Sequence, residues 1–374
     1  MKRNTIIMGA AIVLAGLSAP AFAENFAAST WLPQQASVPT GYVTFAERVA
    51  EATNGDINFE IFVGGALLPP RETLQGVGRG VAMMGQITAV YTPADLPLNN
   101  VVNDLGFLTL SDAVGSLAAT DVRFNNADLQ SEWSDHNIIY SGSFSTPTYY
   151  IQCTSPIRTL ADAAGKNIRA TVGAQVDFLT SIGAVPVSVP GSDVYSGLER
   201  GSIDCTLLAS DALLSLKTIE VVTHVTELPL GVFLGGATWG FNKDFWADQT
   251  PENRRILLDQ TAIALVENII FTTNLLAKAN AAAVDKGLEI IAPDAGLQDA
   301  LTAFNATFLA DLPASEMEKR SIADPSDMVN EYVAAQEKWT ALLADVDLTD
   351  HAALLKLVNA EIFSKLDENT YGLN

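Results

Sequence analysis

The chain has 374 residues, 43 of them Asp or Glu against 21 Lys or Arg, for a net charge of −22 at pH 7. Nucleic acid and anionic membrane surfaces would repel such a chain and are set aside as partners. The length exceeds what one hydrophobic core usually organises, so two lobes are expected.

Lys2 and Arg3 are followed by an apolar stretch from Ile6 to Leu17 and by Ala21-Phe22-Ala23 ahead of Glu24. This order reads as a cleavable secretory signal over residues 1–23, which places the product in the periplasm. No later apolar run is uninterrupted for the width of a bilayer, so no membrane insertion is expected. Asn25 to Thr30 reads as a strand, and Gly41 to Thr53 carries Tyr42, Phe45, Ala46 and Val49 at helical spacing. Ile57, Phe59 and Ile61 then alternate with polar residues as a strand. A short helix (71–80), a strand (81–87), a helix (112–130) and a strand (138–141) complete one α/β unit.

The alternation restarts with strands 149–153 and 167–170, helix 174–182, strand 185–189, helix 193–200 and strand 203–208. Phe233 to Phe241 reads as a further strand. From Pro251, a favoured first helical residue, one helical pattern runs to Lys286, long enough to touch both lobes. A strand at 288–291 and helices at 297–308 and 325–343 follow. The expected architecture is α/β and two-lobed: residues 24–145 with 235–275 form lobe I, and 146–234 with 276–374 form lobe II. No flexible linker separates them, so strands that cross between the lobes serve as the hinge.

His136, His224 and His351 stand apart, without Cys or carboxylates at metal-ligand spacing, so no metal and no cofactor is expected. No nucleophile elbow, P-loop or zinc-protease motif occurs. Gly76, Gly78 and Gly80 imitate a phosphate loop but fall on a helix rather than after a strand. Cys153 and Cys205 stand open to a disulfide in an oxidising compartment, or to two free buried thiols.

Gly165-Lys166-Asn167-Ile168-Arg169, Gly183-Ala184-Val185-Pro186-Val187 and Asp193-Val194-Tyr195 through Asp204 come in a recognisable order and spacing. Together they resemble the substrate-binding proteins of tripartite ATP-independent periplasmic (TRAP) transporters, the dicarboxylate-receptor family. Thr53-Asn54-Gly55, Gly64-Gly65-Ala66-Leu67, Tyr91-Thr92-Pro93 and Gly240-Phe241-Asn242-Lys243-Asp244-Phe245-Trp246 extend the resemblance over nearly the whole chain.

The resemblance implies a receptor that closes its lobes on a small organic acid and delivers it to TRAP membrane subunits, with no chemistry done. It assigns the carboxylate-binding role to Arg169, whose planar fork of donors matches a carboxylate. Gly191 and Leu208 stand where family members often carry an aromatic residue and an asparagine. These departures imply a less polar pocket, suited to a monocarboxylate with an apolar or aromatic body. Trp31, Tyr91, Phe144, Tyr149 and Trp239 are the aromatic candidates for that body, and Gln86 is a candidate hydrogen-bond donor from the opposite lobe. Two alternatives remain beside it: a binding protein of an ATP-driven importer, and a secreted α/β enzyme acting on an organic acid.

Overall fold

The computed structural model describes residues 25–373. The signal read at residues 1–23 lies outside them. In chain order come β1 (Asn25–Ser29), α1 (Ser37–Ala52), β2 (Asn58–Phe62), α2 (Thr73–Gly78), β3 (Met84–Ile87), α3 (Pro97–Leu105), α4 (Asp112–Asn125), α5 (Ala127–Asp135) and β4 (Ile138–Tyr140). The chain then crosses to β5 (Tyr150–Cys153), α6 (Leu160–Ala163), β6 (Asn167–Arg169), α7 (Gly173–Ser181), β7 (Val185–Val187), α8 (Val194–Glu199), β8 (Cys205–Leu208), α9 (Ala212–Ser215) and β9 (His224–Thr226). It returns through β10 (Ala237–Asn242), α10 (Lys243–Asp248) and α11 (Pro251–Lys286), and ends with β11 (Glu289–Ile291), α12 (Ala295–Arg320), α13 (Ser326–Leu343) and α14 (His351–Glu361).

Two mixed sheets organise the lobes, ordered β2-β1-β3-β10-β4 in the first and β11-β9-β5-β8-β6-β7 in the second. The segments leaving β4 and entering β10 pair with each other at the crossing. Ser145 and Leu234 form an antiparallel bridge, Thr146 N donates to Phe233 O at 3.0 Å, and Gly235 N donates to Phe144 O at 2.8 Å. Paired strands bend as a unit while keeping their backbone groups satisfied, which is what a hinge between rigid lobes requires.

Helix α11 spans 36 residues, about 54 Å at the usual rise. Pro251 opens it and Gly287, at φ 77°, closes it in the left-handed conformation that glycine adopts most readily. Arg48 of α1 clamps it, with Nη1 2.8 Å from Glu267 and Nε donating to Gln260 at 2.8 Å. By length and average composition alone this helix is apolar enough to span a membrane, with mean hydropathy 1.3 over its best window, though polar residues interrupt it. More than half of that window is buried, with Leu257, Leu258, Leu265 and Ile269 almost fully enclosed.

The carboxy-terminal residues correct the expected lobe boundaries. Residues 326–373 pack on the first lobe, not the second. Trp339 Nε1 donates to Asp121 of α4 at 3.0 Å, Tyr332 and Thr109 share a hydrogen bond at 3.0 Å, and Tyr371 donates to the carbonyl of Tyr140. Helix α12 packs Phe304 against Phe178 of the second lobe and Phe107 of the first, and so ties the lobes together beside the hinge. The helix expected over 112–130 is two helices, divided at Asn126, whose side chain caps the second by accepting from Leu129 N at 3.0 Å. Gly76 and Gly78 are packing residues: a Cβ would meet Leu68 at 2.3 Å in one case and the carbonyl of His136 at 2.3 Å in the other.

Candidate functional site

Between the lobes lies a partly open cavity lined by residues of both. Its polar end is Arg169, the last residue of β6, flanked by Val187 on β7 and Thr206 on β8. The carboxyl ends of these strands open into the crevice where ligands of α/β sheets usually sit. Arg169 Nε donates to Val189 O at 3.0 Å and Nη1 to Leu207 O at 3.4 Å, which fixes the fork. The residue is 3% exposed, and among the described residues no carboxylate forms an ion pair with it. A buried guanidinium without a counter-charge is costly unless an anion completes the site.

Aromatic rings form the walls. Trp31 follows β1 and meets Tyr91 edge to face, centroids 5.4 Å apart, while its Nε1 donates to Thr88 Oγ1 at 3.3 Å. Phe144 and Phe233 come from the two paired hinge segments, with centroids 6.1 Å apart, and Tyr149 stacks on Phe233 at 6.4 Å. The Tyr91 hydroxyl accepts from Gly191 N at 3.0 Å, and Gln35 Nε2 donates to Ser215 O at 3.1 Å. Both bonds run from the first lobe to the second, so the cleft is in a closed arrangement. Burial raises the Tyr91 phenol pKa and the Arg169 charge opposes the shift; Tyr149 is pushed up by burial as well. Both phenols are therefore neutral donors at physiological pH.

The departures at Gly191 and Leu208 both line the cavity. A Cβ at Gly191 would lie 3.4 Å from the Trp31 ring and 3.8 Å from the Tyr91 hydroxyl, so the space of a large side chain there is taken by the opposite lobe.

Five of the seven predicted contacts, Arg169, Trp31, Tyr91, Phe144 and Tyr149, thus converge on one cavity. Trp239 and Gln86 do not line it. Trp239 is fully buried in β10, beside Gly142 and on the side of Thr261 of α11. Gln86 is fully buried in β3, where its Oε1 accepts from Thr30 Oγ1 at 2.6 Å and its Nε2 meets no partner among the described residues. No residue of β3 or β10 lines the cavity.

Sequence reasoning missed Phe233, Thr146 and Asp211 in the lining. Asp211 follows β8 and precedes α9, the place of an ordinary helix cap, and so carried no distinguishing signal. Burial, with the nearby charge of Asp112, pushes its carboxyl up to about 6. Cys153 and Cys205 are joined by a disulfide between directly paired residues of β5 and β8, at the end of the sheet away from the cavity-lining Leu208.

Comparison with known proteins follows from this geometry. The model of bacterial extracellular solute-binding protein, family 7, matches residues 28–311. A solute-binding protein of Albidiferax ferrireducens is 22% identical over 189 residues, half of this chain and 55% of that protein, so the match spans little more than half of the relative's length. The C4-dicarboxylate-binding periplasmic protein of Rhodobacter capsulatus is 24% identical over 287 residues, 73% of this chain and 81% of that one. Among solved structures, a TRAP solute-binding protein from Rhodoferax ferrireducens, crystallised with copurified benzoate, superposes with a TM-score of 0.74 at 19% identity, covering 85% of this chain and 99% of that one.

Proposed function

The chain belongs to family 7 of the bacterial extracellular solute-binding proteins, and from that premise we propose that it is the periplasmic receptor of a TRAP transporter for a small organic monocarboxylate. The ligand's carboxylate lies on Arg169 and its body among Trp31, Tyr91, Phe144, Tyr149 and Phe233. Closed, the receptor presents the acid to the transporter's membrane subunits and performs no reaction on it. Export through the signal at residues 1–23 accounts for its compartment.

One observation carries the reading: Arg169 is buried, held by two carbonyls and not neutralised, at one end of an aromatic cavity. The restriction to one carboxylate comes from the same lining. Among the described residues around the cavity, Arg169 is the one cation, and Asp211 would repel a second carboxylate. The proteins this chain is similar to include a C4-dicarboxylate-binding protein and one crystallised with copurified benzoate; the walls here favour the second kind of ligand.

A thermal-shift screen against aromatic, aliphatic, keto and dicarboxylic acids tests the proposal. A ligand at a hundred times its Kd adds about 2.7 kcal/mol of stability. Monocarboxylates with apolar or aromatic bodies are expected to raise the midpoint. A response confined to C4-dicarboxylates, or to no acid at all, contradicts the proposal.

A further inference from the structure

We infer that Asp211 is a specificity-determining residue of this cavity, and that the ligand is an organic acid carrying a hydroxyl or N–H, away from its carboxylate, which Asp211 accepts. The inference rests on the receptor reading above and adds a second recognition point to it. Asp211 lines the same cavity as Arg169 and is only partly exposed. Among the described residues no cation pairs with it and no side chain hydrogen-bonds to it; although it precedes α9, its side chain makes no capping hydrogen bond there. A carboxylate offers about four acceptor positions, so capacity remains for a ligand.

The cavity is bipolar in consequence. Tyr149 feels the charges of both Arg169 and Asp211, whereas the neighbouring charge acting on Asp211 is Asp112. Arg169 and Asp211 line one cavity with Tyr149 and form no ion pair with each other, so a ligand there meets a cationic end and an acidic end. The acidic end penalises an acid whose far side is bare, because a desolvated carboxylate then faces an anion with nothing to compensate it. A ligand hydroxyl or N–H converts that penalty into a charge-assisted hydrogen bond. With its carboxyl pushed up only to about 6, Asp211 is still largely ionised at pH 7.5 and acts there as an acceptor.

The test is calorimetric titration of the purified protein with matched acids: benzoate and phenylacetate against their ring-hydroxylated counterparts, each positional isomer included. At pH 7.5 at least one hydroxylated isomer is expected to bind about tenfold to a hundredfold tighter than its parent, the worth of a hydrogen bond to a charged group. In Asp211→Leu that preference is expected to collapse, with the bare parent acids binding more tightly than they do to the wild type. Asp211→Ala, which also removes the acceptor, repeats the comparison should the leucine variant fail to fold. Equal affinities within every pair in the wild type, or a preference that survives in the folded variants, overturn the inference while leaving the receptor reading in place. Absence of binding by every acid in the wild type overturns both.

Discussion

Tyr91 and Gly191 sit on opposite lobes and are joined by a hydrogen bond of 3.0 Å from the Gly191 N–H to the tyrosine hydroxyl. The bond exists only while the cleft is closed, so its energy favours the closed state alone. Tyr91→Phe removes it and keeps the ring. The expected result is about a fivefold loss of acid affinity, from a net bond of about 1 kcal/mol, with an unchanged melting temperature of the ligand-free protein. Calorimetry and thermal melting check the two halves of the prediction.

Gly191 also decides how closely the lobes approach. Because a Cβ there would lie 3.4 Å from the Trp31 ring, Gly191→Ala should bind acids within a few-fold of the wild type. Gly191→Phe, whose ring needs the volume Trp31 occupies, should fold and lose binding by more than a hundredfold. Small-angle scattering with saturating acid should show this variant remaining open.

The raised carboxyl of Asp211 makes a pH prediction. Its folded pKa, about 6, lies above the ordinary value near 3.9. Between those values the folded state holds a proton that the unfolded state has released, so this group destabilises the protein as pH rises through about 4 to 6 and stabilises it relatively as pH falls. Asp104 and Asp112, also raised chiefly by burial, act in the same direction. Melting temperature is expected to be higher at pH 5 than at pH 7.5, and Asp211→Asn should shrink the difference. A wild-type melting temperature that rises steadily from pH 5 to 7.5, with the variant parallel to it, would count against this assignment.

The disulfide closes a long loop, since its cysteines are 52 residues apart in sequence. Chain-entropy reasoning gives about 4 kcal/mol for a loop of that size. Cys153→Ser with Cys205→Ser is therefore expected to lower the denaturation midpoint markedly. Acid affinity should stay within a few-fold, because neither cysteine lines the cavity.

The sequence was most legible where local signals and tertiary packing agree. Helix α11 ends where its proline and glycine place it, at Pro251 and Lys286, and Arg169 was identifiable because a family motif fixes it at a strand end. Helix α3 went unread because four of the residues it buries, Asn99, Asn100, Asn103 and Asp104, are polar and interrupt Val101, Val102 and Leu105. Arg123 of α4 explains two of them: its Nε donates to Asn99 Oδ1 and its Nη2 to Asn103 Oδ1, both at 2.9 Å. A buried polar network is invisible to a search for apolar periodicity. The carboxy-terminal helices were assigned to the wrong lobe because amphipathic spacing reports that a face is buried without naming the surface that buries it. Trp239 and Gln86 were misplaced for a related reason, since an aromatic or amide residue on a strand looks the same whether or not its strand lines the cavity. Asp211 was one acidic residue among 43, and only the folded chain brings it to the cavity.

The central claim is that the unneutralised guanidinium of Arg169 holds the ligand's carboxylate. Calorimetric titration of wild type, Arg169→Lys and Arg169→Ala with the tightest acid from the screen tests it most directly, with circular dichroism confirming that each variant is folded. The account predicts that Arg169→Ala loses binding by more than about a hundredfold, and that Arg169→Lys keeps a weak remnant, because a point charge lacks the two-pronged geometry. Wild-type affinity in folded Arg169→Ala would contradict it.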